Sequence, residues 1–441
     1  MKAFIETIKN IFKIEDLRAR ILYTFGILLI YRLGSMVVLP SVDPNQLQEL
    51  QRRGTEGVLG LLNMFSGGAF ARASIFALGI MPYISASIVV QLLGIAVPYF
   101  QRLQKEGESG QRKINQITRY ITVLILFIQA PGYLTQIPME ARIIHGTFFT
   151  LSSVIILTTG TLFVMWMGER ITDKGIGNGI SLIIMIGIIA RFPLNLFGEW
   201  TARLERQGGG LVAFLVEIIF LFVVFVISIL LVQGTRKIPV QYAKRIVGNK
   251  QYGGVRQYIP LKVNAAGVMP IIFAQAIMFL PLSFAKFGSE SVSGFVAVFS
   301  NITGFWYNFT FAIMIIVFTY FYTAITINPT QMAEDMKKNG GFIPGVKPGR
   351  RTVEFLDTIM SRITLPGSIF LAFVAILPAF AQMAGVTRGF AQFYGGTSLL
   401  ILVGVLLDTL QQIESHLLMR RYDGLMKTGR IKGKAGGASA I

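Results

Sequence analysis

Side chains able to perform acid–base, nucleophilic or metal chemistry are few in this sequence and far apart. Its 441 residues include two histidines, His145 and His416, and no cysteine, which excludes thiol catalysis, disulfides and cysteine-ligated metals. The apolar segments between the two histidines place them on opposite sides of a membrane. Because an activated nucleophile or a metal site needs several convergent groups, the sequence argues against an intramembrane enzyme.

Two carboxylates within apolar segments could bind ions or protons, as coupled transport requires. Glu217 lies in the outer part of the sixth predicted span, and Asp408 lies in the inner half of the tenth. The cores of spans 2, 3, 4, 7, 8 and 9 contain no charged residue. A secondary solute transporter is therefore the alternative function, and a saturable small-solute site would distinguish it.

The string GIGNGI superficially resembles a phosphate-binding loop because Gly175, Gly177 and Gly179 alternate in it. A nucleotide-binding loop would follow a strand and carry Lys-Ser or Lys-Thr after the glycines, and this sequence has neither. We therefore interpret Asn178 and the glycines as the tight turn that begins the fifth span.

Two long segments between apolar windows, 234–264 and 328–362, carry dense positive charge. Their basic residues are Arg236, Lys237, Lys244, Arg245, Lys250, Arg256 and Lys262 in the first, and Lys337, Lys338, Lys347, Arg350, Arg351 and Arg362 in the second. Such charges can orient a membrane protein and contact lipid headgroups. Loops of this length are usually functional, so docking of a partner is the second interpretation.

The composition is that of a polytopic membrane protein, with 53% hydrophobic and only 14% charged residues. Crossing a bilayer core takes about 17 to 25 helical residues. Apolar windows of suitable length lie at 21–40, 74–97, 118–136, 148–168, 177–196, 211–233, 266–285, 306–327, 364–382 and 396–416. The predicted fold class is an all-α polytopic membrane protein with ten transmembrane helices.

The distribution of charge predicts the orientation of these spans. An even number of spans puts both termini on one side, and that side carries most of the 41 Lys and Arg residues, so the positive-inside rule places both termini in the cytoplasm. Residues 1–20 are predicted to form an amphipathic helix on the membrane surface. Residues 417–441 form a basic tail, which we expect to be disordered from Tyr422 onward.

Three consecutive glycines, 208–210, precede the sixth span and divide the ten spans into two sets of five. The N-terminal half, 21–207, starts on the inside, whereas the C-terminal half, 208–416, starts on the outside. Opposite topology of two halves is typical of inverted-repeat folds. The sequence therefore predicts two inverted five-helix halves.

A short apolar segment precedes the second span and is too short to cross a bilayer. Non-spanning backbone survives at membrane depth only where it is buried in protein or lines a cavity. We therefore predict a re-entrant plug helix at 63–72 that fills a cavity. Its residues are Met64, Phe65, Ser66, Gly67, Gly68, Ala69, Phe70, Ala71 and Arg72.

Arg32 lies inside the first predicted span, where a central charge costs about 2.5 to 3.5 kcal/mol. We expect its side chain to snorkel toward the far interface or to pair with a partner chain. Three further residues, Gly79 and Pro82 in span 2 and Pro270 in span 7, are predicted kinks, since glycine and proline weaken a helix.

Several ordered strings resemble the SecY family, the large subunit of the bacterial protein-conducting translocon, over essentially the whole chain. They are NMFSGGAFARASIFALGIMPYISASI (63–88), KEGESGQRK (105–113), GIGNGISLII (175–184), YAKR (242–245), PLKVNAAGVMP (260–270) and GGTSLLI (395–401). The resemblance implies a ten-span clamshell in the cytoplasmic (inner) membrane, with a plug on the outer side. It also implies a lateral gate toward lipid between spans 2, 3 and spans 7, 8, where the three predicted kinks would assist opening.

A pore that passes an extended polypeptide but retains ions must narrow to a ring of apolar side chains. Ile80 and Ile84, and likewise Ile180 and Ile184, are four residues apart and would share a helix face. By themselves these are ordinary apolar residues. The resemblance assigns them to a pore ring and adds Ile272 and Ile401.

The resemblance further implies partners and no cofactor. Translocating preproteins and their signal sequences would pass through the channel, and the small subunits SecE and SecG would cover its apolar faces. The ribosome and the motor ATPase SecA would dock on Lys244, Arg245, Lys347, Arg350 and Arg351. Lys347 stands where the family typically has arginine, so the bidentate contact of a guanidinium is lost there.

Overall fold

A computed structural model describes residues 14–53, 57–144, 146–205, 210–242, 245–247, 250–252, 256–284 and 303–427. His145, Lys244 and most of the predicted N-terminal helix at 1–20 lie outside the described residues. The side chain of Arg245 also lies outside them, and its backbone belongs to a strand.

The first part of the chain is helical, with connections of different lengths. Its helices are α1 (Glu15–Gly34), α2 (Gln48–Arg53), α3 (Gly57–Phe65), α4 (Met81–Ala96), α5 (Pro98–Lys105), α6 (Glu108–Leu134), α7 (Thr147–Lys174), α8 (Gly179–Glu205) and α9 (Gly210–Gln233).

The second part adds short strands to the helices. In order these elements are β1 (Thr235–Tyr242), β2 (Arg245–Val247), β3 (Lys250–Tyr252), β4 (Arg256–Lys262), α10 (Met269–Phe284), α11 (Phe305–Thr326), α12 (Pro329–Lys338), β5 (Gly341–Phe342), α13 (Arg350–Met383), α14 (Arg388–Ala391) and α15 (Gly396–Lys427).

The long helices confirm an all-α polytopic membrane protein. Within the described residues, seven helices are long and apolar enough to cross a membrane, or up to eight if the bent pair α4 and α5 is one span. This is fewer than the ten predicted. Helix α1 includes Arg18, Arg20 and Arg32, which reduce its apolar character, and α10 has 16 described residues before the undescribed segment 285–302.

The basic segments 234–264 and 328–362, read as loops, contain regular structure. β1 pairs antiparallel with β4 and with β5, in the order β4-β1-β5, and β2 pairs with β3. One hydrophobic core joins the two segments through Ile238, Val240, Leu261, Ala333, Met336, Ile343, Leu356 and Met360. We call residues 235–262 and 329–360 together the sheet subdomain.

The backbone contacts divide the chain into two compact units. The first contains residues up to Leu50, Ser66–Gly187 and residues from Val405 onward, and the second contains Gln51–Phe65 and Ile188–Gly404. These limits differ from the boundary predicted at 208, and the inverted arrangement of two five-helix halves stays a prediction. In the tail, α15 continues to Lys427, so disorder from Tyr422 was wrong for residues 422–427.

Candidate functional site

The predicted plug is mostly not a helix. Helix α3 ends at Phe65, and residues 66–80 form turns, interrupted by an isolated bridge between Ser74 and Val38. Gly67, Gly68 and Gly79 have positive φ angles, and Ala73 also does, at 49°. Left-handed backbone interrupts an α-helix, and glycine adopts it most readily. The Ser-Gly-Gly string at 66–68 therefore explains why the helix stops there.

The second span begins later than predicted, at Met81. Ile80 is the N-cap of α4, and Pro82 lies in its first turn, where the missing N–H of proline is harmless. Gly79 precedes the helix. The predicted kink at Gly79 and Pro82 inside a helix was therefore wrong. Ile84 N–H donates to the backbone oxygen of Ile80 at 3.1 Å, so these two isoleucines lie one helical turn apart, as predicted. Pro270 likewise lies in the first turn of α10 and does not interrupt it.

The plug segment, residues 64–72, is buried at every position except Arg72, which is partly exposed. The backbone that follows it is hydrogen-bonded to the chain after α1. Leu39 N–H donates to Ala73 at 2.8 Å, and Ile75 N–H donates to Val37 at 3.0 Å. These bonds satisfy part of the non-helical backbone inside the protein, as membrane depth requires.

Three side chains from neighbouring helices donate hydrogen bonds to carbonyl oxygens of the plug segment. From α1, Arg32 Nη1 lies 2.8 Å from the oxygen of Gly67, and the Tyr31 hydroxyl lies 3.5 Å from that of Ser66. From α6, the Tyr133 hydroxyl lies 2.8 Å from the oxygen of Phe70. The structure thus gives Arg32 a partner inside its own chain, which neither expectation for this residue had included.

Aromatic packing surrounds the same turns. The Phe70 ring meets Tyr133 edge to face with centroids 4.8 Å apart, and Phe76 stacks on Tyr31 and on Phe163 at 6.1 Å each. A Cβ atom at Gly34 would overlap the Phe76 ring. The absence of a side chain at Gly34 therefore lets Phe76 pack against the end of α1.

Gly67 has no space for a side chain. A Cβ atom there would lie 2.9 Å from the Cα of Gly187 in α8 and 2.9 Å from Arg32 Nη1. Backbone therefore meets backbone where the plug segment contacts α8. Together with its φ of 64°, this makes Gly67 a tightly constrained position of the plug segment.

The six predicted pore residues are distributed over both compact units. Ile180 and Ile184 share α8, four residues apart as predicted. Ile80, Ile184 and Ile401 are buried, whereas Ile84, Ile180 and Ile272 are partly exposed. A ring of all six would combine Ile272 and Ile401 of the second unit with the other four, and it stays a prediction.

The GIGNGI string binds protein groups through its backbone amides. Ile176 N–H donates to Thr24 Oγ1 at 3.1 Å, Gly177 N–H to Gln412 Oε1 at 2.8 Å, and Gly179 N–H to Thr172 Oγ1 at 2.9 Å. Asn178 Oδ1 accepts from Ser181 N–H at 3.2 Å. The string forms the start of α8, as the sequence indicated. Its amides at Ile176, Gly177 and Gly179 already donate to protein oxygens.

The two carboxylates considered for transport have different surroundings. Asp408 is exposed. Glu217 pairs with Arg203, whose Nε also lies 3.1 Å from Glu199 Oε1. Glu199 and Arg203 were not identified as site residues from the sequence, although the i, i+4 spacing of an acid and a base was a local signal.

The loop before α15 completes this group. Glu199 Oε2 accepts from the backbone N–H of Thr387 at 2.8 Å, and the Tyr394 hydroxyl donates to the backbone oxygen of Glu217 at 2.9 Å. Burial, reinforced by both carboxylates, raises the pKa of Tyr394, so the phenol remains a donor. We call Glu199, Arg203, Glu217, Thr387 and Tyr394 the arginine network.

The predicted docking residues that can be described lie on the surface of the sheet subdomain. Lys347, Arg350 and Arg351 are all exposed. Arg350 Nε lies 3.4 Å from Glu354 Oε1, with both side chains in solvent, and such exposed pairs contribute little to stability. These cations are therefore accessible to a partner.

Comparison with known proteins agrees with the family resemblance. The SecY family model matches residues 74–410. A protein translocase subunit SecY of Streptomyces scabiei is 44% identical over 443 residues, covering 94% of this chain and 98% of the relative. That of Mycobacterium tuberculosis is 42% identical over 451 residues, covering 97% and 100%.

Solved structures show the same fold at lower identity. A SecY structure described by its plug domain, which stabilises the closed state and maintains a membrane seal, has a TM-score of 0.62 at 17% identity, with 94% of this chain and 95% of that chain covered. Canine Sec61 in a ribosome–channel complex has a TM-score of 0.56 at 16% identity, with the same coverage. On the sequence match over most of its length, supported by this shared fold, the chain belongs to the SecY family.

Proposed function

We propose that this protein is the central subunit of a protein-conducting channel, which passes unfolded preproteins across the membrane and releases transmembrane segments laterally into lipid. The observation that carries the proposal is the buried, non-helical plug segment, whose backbone is bonded to surrounding helices. A segment that does not span the bilayer requires a cavity to fill, and a protein-conducting pore provides one. The relatives are named protein translocase subunits.

In this proposal the resting channel is closed by two barriers. The plug segment fills the outer cavity, and Ile80, Ile84, Ile180, Ile184, Ile272 and Ile401 form an apolar ring at mid-membrane. A ring of this kind disfavours hydrated ions and lets the pore dewet. The burial of Ile80, Ile184 and Ile401 and the spacing of Ile180 and Ile184 on α8 support the assignment.

The channel would lie in the cytoplasmic membrane with both termini in the cytoplasm. The support is the positive-inside rule applied to the basic segments. The sheet subdomain, which carries two of those segments, would then face the cytoplasm.

The sheet subdomain would dock the ribosome and the motor ATPase SecA through Lys244, Arg245, Lys347, Arg350 and Arg351. Exposure of Lys347, Arg350 and Arg351 supports this, and the matched canine Sec61 was seen with a ribosome. Contacts with RNA phosphates would weaken as salt rises. SecE and SecG would cover apolar helix faces that are exposed in the chain alone, such as that of Leu215, Ile219 and Phe222 in α9.

The alternative, a secondary solute transporter, has little support. Its candidate carboxylate Glu217 is paired with Arg203, and a carboxylate held by a guanidinium is poorly suited to binding and releasing ions. Saturable uptake of a radiolabelled solute by proteoliposomes would favour this alternative. No cofactor is proposed, and the activity is transport rather than catalysis.

The proposal is tested by deleting residues 66–72 and measuring ion leak in liposomes. Loss of the plug should leave a folded protein with higher conductance, whereas unchanged conductance would contradict the proposal. Crosslinking to a stalled preprotein from Ile84 and Ile184, each replaced by a photoreactive residue, tests the ring. Contact from both positions is expected, and contact from neither would reject the ring.

A further inference from the structure

Arg32 places a guanidinium beside the plug segment from within an otherwise apolar stretch of α1. From Ile21 to Leu33 this helix has no other charged residue. A charge within a transmembrane helix is unfavourable unless it finds partners. The partner here is the backbone of the plug segment, because Arg32 Nη1 lies 2.8 Å from the carbonyl oxygen of Gly67.

This contact differs in kind from the hydrogen bonds that Tyr31 and Tyr133 donate to the segment. The donors at Tyr31 and Tyr133 are neutral phenols, whereas a guanidinium makes a charge-assisted hydrogen bond, which is roughly twice as strong as a neutral one. Its acceptor belongs to Gly67, the residue that packs backbone to backbone on Gly187. The charge-assisted bond therefore acts on a residue of the plug segment that has no room to move toward α8.

Two features of α1 and the residues after it favour the charge of Arg32 without the plug segment. It lies in the last turn of α1, where the helix dipole favours a cation. Arg32 Nη1 also donates a long hydrogen bond to the Ser35 hydroxyl oxygen at 3.5 Å, which a small movement would shorten. The bond to Gly67 can therefore break without leaving an isolated charge, as a reversible contact requires.

We propose that Arg32 is a latch, a positioning residue that holds the plug segment in its closed position and sets how often the resting channel opens. The inference rests on the proposed function of residues 64–72 as a plug. Movement of the plug segment breaks the bond to Gly67 and transfers the guanidinium to Ser35. The wild-type latch thus favours closure while keeping opening reversible.

The test compares Arg32→Leu with Arg112→Leu in the full-length protein, purified with its co-purifying subunits and reconstituted in liposomes. Arg112 is an exposed arginine of α6 paired with Glu108. Because the protein has no cysteine, a single Ala71→Cys substitution in each background introduces a thiol that reports the position of the plug segment. Ala71 is 3% exposed, so a membrane-impermeant reagent should label the introduced thiol slowly while the plug is closed.

The expected result is that Arg32→Leu increases both the rate of thiol labelling and the resting ion leak by about tenfold, the size expected when a hydrogen bond to a charged group is lost. Arg112→Leu should leave both unchanged. If folded Arg32→Leu protein labels and leaks like the wild type, the latch is rejected. Thermal unfolding of each sample establishes that it is folded.

If Arg32→Leu does not fold, Arg32→Lys decides the outcome. Lysine keeps the charge but has a shorter reach and a single nitrogen, so labelling of the introduced thiol should rise several-fold, and no rise would reject the latch. Deletion of 66–72 separates the two proposals. If the deletion variant shows the same ion leak as the wild type, the plug function is contradicted. Thiol labelling of the Ala71→Cys protein without the deletion still measures whether Arg32 positions the segment.

Discussion

Arg32 and Arg203 each lie in the last turn of a helix, but they have different kinds of partner. Arg32 donates to a backbone carbonyl of the plug segment. Arg203 lies between two carboxylates, Glu199 and Glu217, which are themselves bonded to the loop before α15. A neutral acceptor can be given up at modest cost, whereas separating a buried ion pair is expensive. The comparison indicates that the plug segment is bound reversibly, whereas the ion pairs of the arginine network stay formed in the folded protein.

The largest effect is expected from Arg203→Leu, which leaves two carboxylates without their counter-charge. Removing one partner of a buried ion pair typically costs about 3 to 5 kcal/mol. The Arg203 and Glu199 side chains are only 14% and 1% exposed, so they form a buried ion pair of this kind. The measurement is thermal unfolding of the purified protein. Arg388→Leu, at an exposed arginine of α14, is the control, and equal unfolding temperatures for the two variants would show that the Arg203 ion pairs do not stabilise the fold.

A smaller effect on stability, but a clear one on closure, is expected from Gly67→Ala. A non-glycine residue with left-handed backbone costs about 1 to 2 kcal/mol, and the new Cβ atom must also displace Gly187. We expect a higher resting ion leak. Gly107→Ala is a matched control because its φ is 69° and nothing lies within 4 Å of its added Cβ. Leak that is equally low in both variants would show that the contact with α8 does not hold the plug segment.

The smallest effect is expected from Tyr133→Phe, which removes the hydroxyl that donates to Phe70 but keeps the ring. The loss of one buried neutral hydrogen bond should cost about 1 kcal/mol, because the edge-to-face contact with Phe70 remains. Resting leak should rise less than for Gly67→Ala. Tyr120→Phe, at a residue 75% exposed, should have no effect. A larger leak for Tyr133→Phe than for Gly67→Ala would reverse the proposed order of contacts.

Most of the helices could be predicted from local periodicity and apolar length. Helices α9 and α11 begin and end within one residue of the predicted spans 211–233 and 306–327. The sheet subdomain was missed, although β1 alternates exposed and buried residues at Lys237, Ile238, Pro239 and Val240. That period of two is a strand signal, which the dense positive charge around it obscured.

The sequence by itself determined the membrane character, the family and the presence of an apolar segment too short to span a bilayer, since each depends on residues that are neighbours in the chain. The tertiary structure alone decided that residues 66–80 form turns held by α1 and α6, and that Glu217 is paired with Arg203. The partners of Arg32 and Tyr133 lie 35 and 63 residues away. A hydrogen bond requires its donor and acceptor to lie within about 3 Å of each other. Residue spacing along one helix does not determine which residues of another segment lie that close, because this depends on how the helices pack.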